Sequence, residues 1–113
     1  MNRITTSELL NKGFVVNNGK WSYKGKTIIL DFYADWCQPC KPQETILKEL
    51  SKEYGEIEFY KVNVEEEYEL AELFSIKSLP TVIICGKETK KFVGFTTAQK
   101  LETAIKNYLE VLA

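Results

Sequence analysis

Trp36-Cys37-Gln38-Pro39-Cys40-Lys41 decides how this chain is read. Two cysteines stand two residues apart, behind an apolar run from Thr27 to Ala34 and ahead of a long helical pattern. The spacing brings both sulfurs within reach of one disulfide. The strand-to-helix junction sets the first sulfur at a helix N-terminus, where backbone N–H groups and the helix dipole favour a thiolate. Thiols so placed exchange electrons as a dithiol/disulfide couple. A metal is the rival reading. The 113-residue chain has no histidine and only one further cysteine, Cys85, so the ligand set for zinc is missing and no metal site is expected. A purely structural disulfide is disfavoured as well, because so short a loop constrains the unfolded chain little.

Immediately upstream, Ile28, Ile29, Leu30, Phe32, Tyr33 and Ala34 form a nearly continuous apolar run. Such a run predicts a central strand covered on both faces. Asp31 interrupts it, and a charge there is costly unless it is paired or changes its protonation. Downstream, Ile46, Leu47, Leu50 and Tyr54 follow the helical period, with Gly55 as the stop. Pro42 falls in the first turn or so, where a missing N–H costs little.

Farther out, Ile57 to Val64 reads as a second strand, and Glu65-Glu66-Glu67 stands at the start of a helix whose face is Leu70, Ala71, Leu73 and Phe74. Ser78-Leu79-Pro80-Thr81 is a turn, Val82 to Cys85 a third strand, and Lys91 to Phe95 its antiparallel edge partner. Thr96-x-x-Gln99 reads as a capping box for a last helix carrying Leu101, Ala104, Ile105, Tyr108, Leu109 and Leu112. At the other end, Thr5-x-x-Glu8 is also a capping box, with Gly13 as a C-terminal stop. Asn17-Asn18-Gly19 between two apolar triplets predicts a hairpin. The expected order is helix, hairpin, strand, helix, strand, helix, strand, strand, helix. It implies one domain over residues 1–113, a divergent helix and hairpin over 1–26 leading into a core over 27–113, with a mixed sheet flanked by helices on both faces.

Lys plus Arg is 15 and Asp plus Glu is 16, a net charge of −1 with no basic stripe, which speaks against nucleic-acid and anionic-membrane roles. No apolar run approaches the roughly 20 residues a membrane span needs. Met1-Asn2-Arg3 is followed by polar residues, so no secretory leader is read and a cytoplasmic location is expected. A chain trimmed of its leader and working in the periplasm would begin the same way.

With these residues in view the chain resembles a thioredoxin. Asp31 to Lys41 looks like that family's active-site segment, and Lys61-Val62-Asn63-Val64 like its central strand. Ile76 to Thr81 resembles its cis-proline turn, and Val93-Gly94 its glycine beside the last strand. The match runs from about Thr27 to the C-terminus. It departs at Gln38, where thioredoxins usually carry glycine, at Thr45, where they carry proline, and at Tyr33, where they carry tryptophan. Many thioredoxins also begin strand, helix, strand without a hairpin. Here the run from Asn18 to Lys26 looks instead like the lead-in of TlpA-like thiol-disulfide oxidoreductases.

The resemblance implies a protein-disulfide oxidoreductase, with no bound cofactor beyond a redox-active Cys37–Cys40 disulfide. Cys37 matches the exposed nucleophile and Cys40 the resolving thiol, one helical turn deeper. Asp31 matches a buried acid that takes the Cys40 proton, and Lys61 its charged neighbour; a structural Asp31–Lys61 pair is the plainer alternative. Pro39 fixes the turn between the thiols. Gln38 either tunes the redox poise or is a neutral surface residue. Trp36, Leu79, Pro80 and the Val93-Gly94 backbone would line the patch for substrates, Pro80 through a cis bond that leaves the Leu79 backbone free to pair; Trp36 also admits a core reading. Cys85 reads as an inert core thiol. The implied partners are disulfide-bearing proteins and a thioredoxin reductase that uses NADPH, with the chain itself a monomer. An oxidant, an isomerase or a periplasmic TlpA-like reductant keeps the fold and changes direction. A binding subunit with incidental cysteines is the reading from another class.

Overall fold

The computed structural model describes residues 1–111. Leu112, expected on the last apolar stripe, lies outside them. A five-stranded sheet runs through the middle in the order β1 (Asn2–Arg3), β5 (Glu58–Asn63), β4 (Ile28–Tyr33), β6 (Thr81–Cys85), β7 (Thr89–Val93). The pairs β1–β5 and β5–β4 are parallel, while β4–β6 and β6–β7 are antiparallel. All six residues of β4 are buried, as the unbroken apolar run predicts for a covered central strand.

Each face of β4 feeds its own core. Ile28, Leu30 and Phe32 pack with Leu9 of α1 (Thr6–Asn11) and Leu70, Ala71 and neighbouring Phe74 of α3 (Tyr68–Leu73). Ile29, together with Val82 and Ile84, packs with Leu47 and Leu50 of α2 (Cys40–Glu53) and Leu101 and Ile105 of α4 (Ala98–Val111). Asp31 shares the parity of Ile29, so it faces the α2 layer.

The hairpin forms a separate two-stranded sheet, β2 (Phe14–Asn17) with β3 (Lys20–Tyr23). Asn18 and Gly19 hold φ of 53° and 74°, the left-handed pair that a two-residue hairpin turn requires. Aromatic packing pins it to α3: the Trp21 and Phe74 rings lie 4.3 Å apart, and Phe14 and Phe74 5.4 Å. Gly13, at φ 114°, ends α1, and a Cβ there would meet the Gly25 nitrogen at 2.7 Å. Only glycine permits that turn and that approach.

Three expectations need correction. A first strand, β1, precedes α1 and lies parallel to β5, so the chain does open strand, helix, strand and departs less from the thioredoxin pattern than expected. Two residues carry no readable periodicity, and the strand exists because Asn2 and Arg3 find Tyr60 and Lys61. The last strand is Thr89–Val93 rather than Lys91–Phe95, because pairing with β6 runs from Cys85↔Thr89 to Thr81↔Val93. The cap of α4 is Thr97, whose Oγ1 accepts from the Lys100 N–H at 3.3 Å. Thr96 is engaged elsewhere.

Candidate active site

The site forms where β4 ends and α2 begins. Cys37 N–H donates to the Ala34 carbonyl at 3.1 Å, turning the chain sharply out of the sheet. Pro39 takes the position just ahead of α2, and Lys41 N–H donates to the Gln38 carbonyl at 3.1 Å. Cys40 is the first helical residue, and Pro42 falls in the first turn, where its missing N–H costs little. Thr45, at the usual proline position, turns its hydroxyl back to the Lys41 carbonyl at 3.3 Å.

Cys37 and Cys40 are joined in a disulfide, with Cα atoms 5.4 Å apart. Both are 4% exposed. The contrast expected between an exposed nucleophile and a deeper partner is therefore absent in this oxidised form. The sulfurs share one pocket with Tyr33 and Ala34, against Val64 and Leu79, so the bond shields both ends at once. Cys85 is buried and free, and burial pushes its thiol up to about 12.

Asp31 lies two residues before Tyr33 and is 0% exposed, with neither carboxylate oxygen hydrogen-bonded. Burial raises its pKa, the Glu44 carboxylate raises it further and Lys61 lowers it, leaving it at about 7. Asp31 and Lys61 are register partners on adjacent strands. The ion pair of the structural alternative does not form. The Lys61 ammonium instead donates to Glu44 Oε2 at 3.1 Å and sits 5.2 Å from the centre of the Tyr33 ring. The longer reach to the helix lets Lys61 stay partly hydrated, whereas pairing with Asp31 would bury both charges.

The opposite wall is the turn before β6. Leu79–Pro80 is a cis bond. Gly94, at φ 81°, donates its N–H to the Pro80 carbonyl at 2.9 Å, and the Thr96 hydroxyl donates to the Gly94 carbonyl at 3.0 Å. Around this wall three large apolar side chains face solvent: Trp36 at 67% exposure, Val93 at 64% and Phe95 at 49%. The core reading of Trp36 is thereby excluded. A groove of about 690 Å³ lies between β7 and α4 and is lined by Lys90, Phe92, Thr103 and Tyr108. Neither cysteine of the disulfide nor Asp31 lines it.

Two site neighbours escaped the sequence reading. Gln43 and Glu44 lie outside the apolar periodicity that marks α2 in the sequence. Gln43 belongs to the buried stripe Gln43, Leu47, Leu50, and its spacing ahead of Leu47 was the available signal. Glu44 lies four residues after Cys40, one turn along the same helical face.

A disulfide at the mouth of a helix, between a mixed sheet and a cis-proline turn, defines a thiol-disulfide oxidoreductase that carries its own redox group. The thioredoxin family model matches residues 15–107. The thioredoxin of Borreliella burgdorferi is 38% identical over 111 residues, covering 93% of this chain and 94% of the relative. The solved Fasciola hepatica thioredoxin superposes with a TM-score of 0.76 at 32% identity, over 95% of this chain and 98% of that one. The oxidised mitochondrial thioredoxin 3 of Saccharomyces cerevisiae gives 0.67 at 30% identity, over 73% and 78%. The chain belongs to the thioredoxin family, and its reaction is protein thiol-disulfide exchange through Cys37 and Cys40. Membership implies disulfide-bearing protein substrates and a reductase as electron donor.

Proposed function

We propose that the chain works as a protein-disulfide reductase. The observation that carries this reading is a buried Asp31 without a hydrogen-bond partner, on the strand that leads into the Cys37–Cys40 pair. A buried carboxyl titrating near neutrality is suited to accept a proton at the pH where the chain works.

In the reduced form the Cys37 thiolate attacks one sulfur of a target disulfide. A Cys37–target disulfide forms, the target S–S bond breaks, and the first target thiolate leaves and takes a proton from water. Cys40 then gives its proton to the Asp31 carboxylate, through a water, and its thiolate attacks Cys37. The Cys37–Cys40 bond forms and the second target thiolate leaves. Two electrons have passed to the target. A thioredoxin reductase drawing on NADPH returns them.

The N-terminal end of α2 favours the Cys37 thiolate in the first step. Lys61 sets the field around Asp31. Pro39 holds the spacing of the two thiols, and Gln38 lies at the rim where it tunes the poise. Trp36, Leu79, Pro80 and the Val93-Gly94 backbone form the docking surface, an exposed apolar face of the kind that marks a protein partner. No described helix is long and apolar enough to cross a membrane. By the chain's likeness to the thioredoxins we assign it to the cytoplasm as a monomer.

Two measurements test this. Insulin-disulfide reduction is expected to vanish in C37S. The Cys37–Cys40 reduction potential is expected near −270 mV, the handover range of a reductant. Insulin turnover surviving in C37S, or a potential near −120 mV, overturns the reading.

A further inference from the structure

The strand register places Lys61 directly beside Asp31, yet its ammonium turns to the helix. What turns it is Glu44. One oxygen of that carboxylate, Oε2, receives both the Lys61 ammonium and the Lys48 ammonium, each at 3.1 Å. Glu44 is about a quarter exposed, enough for water to support the ionised form. Its burial works against ionisation, but the hydrogen bonds from Lys48 and Lys61 outweigh it and hold the carboxyl below its ordinary range. Glu44 is thus a fixed negative charge one turn beyond Cys40, on the face of α2 turned toward Asp31.

Lys61 and Val82 are the register partners of Asp31 on β5 and β6, Tyr33 shares its face of β4, and α2, the helix that carries Cys40 and Glu44, packs on that face. Glu44 and Lys61 are the two charges acting on the Asp31 carboxyl, with opposite signs.

We propose that Glu44 is a positioning residue for Asp31: by holding the Lys61 ammonium on the helix side, it keeps the buried carboxyl without a counter-ion. Glu44 acts on Asp31 twice, directly by like-charge repulsion and indirectly by removing the neutralising cation. Both effects keep a proton on Asp31 closer to neutral pH than an ammonium paired with it would allow. The inference rests on Asp31 being the proton acceptor only for its consequence in catalysis, not for the electrostatics.

The experiment follows the Asp31 carboxyl carbon by NMR across a pH titration of the oxidised protein, in wild type, E44Q, E44A, K61M and the E44A/K61M double variant. In E44A the ammonium is released toward Asp31 and the repulsion is lost, so the midpoint is expected to fall from about 7 to about 6 or below. In E44Q, which keeps an acceptor oxygen but no charge, the fall is smaller. In K61M the midpoint rises, and E44A then lowers it by less than in the wild-type background, because only the repulsion remains to be removed. A midpoint unmoved or raised by E44A, or an equal drop in both backgrounds, overturns the proposal. The pH profile of mixed-disulfide resolution separates the two readings. If the carboxyl midpoint falls while that profile stays, Asp31 is not the proton acceptor and the electrostatic role of Glu44 stands.

Discussion

Gln43 and Thr96 clasp each other as two strands would: the Gln43 Nε2 donates to the Thr96 carbonyl at 3.1 Å, and the Thr96 N–H donates to Gln43 Oε1 at 2.8 Å. The pair is buried and joins the redox helix to the loop after β7. From Thr96 the bonds continue through Gly94 to Pro80. One side chain therefore ties the start of α2 to the wall on which a substrate would rest.

Replacing that glutamine with leucine keeps the volume and strands two backbone groups of Thr96. Each orphaned group costs about 1–3 kcal/mol, so Q43L is expected to lower unfolding free energy in urea by a few kcal/mol. The loop proposed to dock substrate loses its anchor, so KM for insulin should rise by roughly 3- to 10-fold, as for the loss of about one contact residue. Reaction with a small aromatic disulfide needs no docking wall and should keep its rate. A parallel loss in both assays would assign Gln43 to the cysteines themselves.

Asp31 makes stability depend on pH in a definite sense. Its carboxyl titrates at about 7 when folded and at 3.8 ordinarily, so between these values the folded chain holds a proton the unfolded chain has released. Stability therefore falls as pH rises through that window. D31N cannot ionise. In the oxidised protein its gain over wild type should be near zero at pH 4 and reach about 2–4 kcal/mol at pH 8. A gain equal at both pH values would mean that shape rather than charge is responsible. Activity should move the other way, with resolution of the mixed disulfide slowed above neutral pH.

Trp36 is a surface residue by exposure, and the docking role proposed for it has a direct test. W36A should leave the unfolding free energy within about 0.5 kcal/mol. It should lower kcat/KM for protein disulfides by about 10-fold, the range of a moderate hot spot. Equal loss with a small-molecule disulfide would instead place the indole's effect on the sulfurs.

Cys85 packs against the apolar core on the side opposite Asp31, and burial holds its thiol protonated up to about 12. Iodoacetamide at pH 8 should modify Cys37 in the reduced native protein and leave Cys85 untouched until the chain is unfolded, read by mass spectrometry. C85A should leave the Cys37–Cys40 potential unchanged and destabilise the fold by about 1 kcal/mol, the scale of a small buried deletion.

The chemistry was legible along the chain because it is carried by local patterns. Cys37 and Cys40 lie one turn apart, the apolar run from Ile28 to Tyr33 declares a covered strand, and Asn18-Gly19 and Thr5-x-x-Glu8 declare a turn and a cap. Each of these is a property of residues within a few positions of one another. What the tertiary structure alone decided lies between segments distant in sequence. β1 exists because β5 is there to pair with it; Thr96 caps nothing because Gln43, 53 positions away, claims its backbone. Lys61 serves Glu44, 17 positions away, rather than its strand neighbour Asp31. The same holds for Trp36-Cys37-Gln38-Pro39-Cys40-Lys41. Its spacing determines that two sulfurs can bond, but burial is a property of the assembled layers, and only they leave Asp31 buried and unpaired with a proton affinity near neutrality.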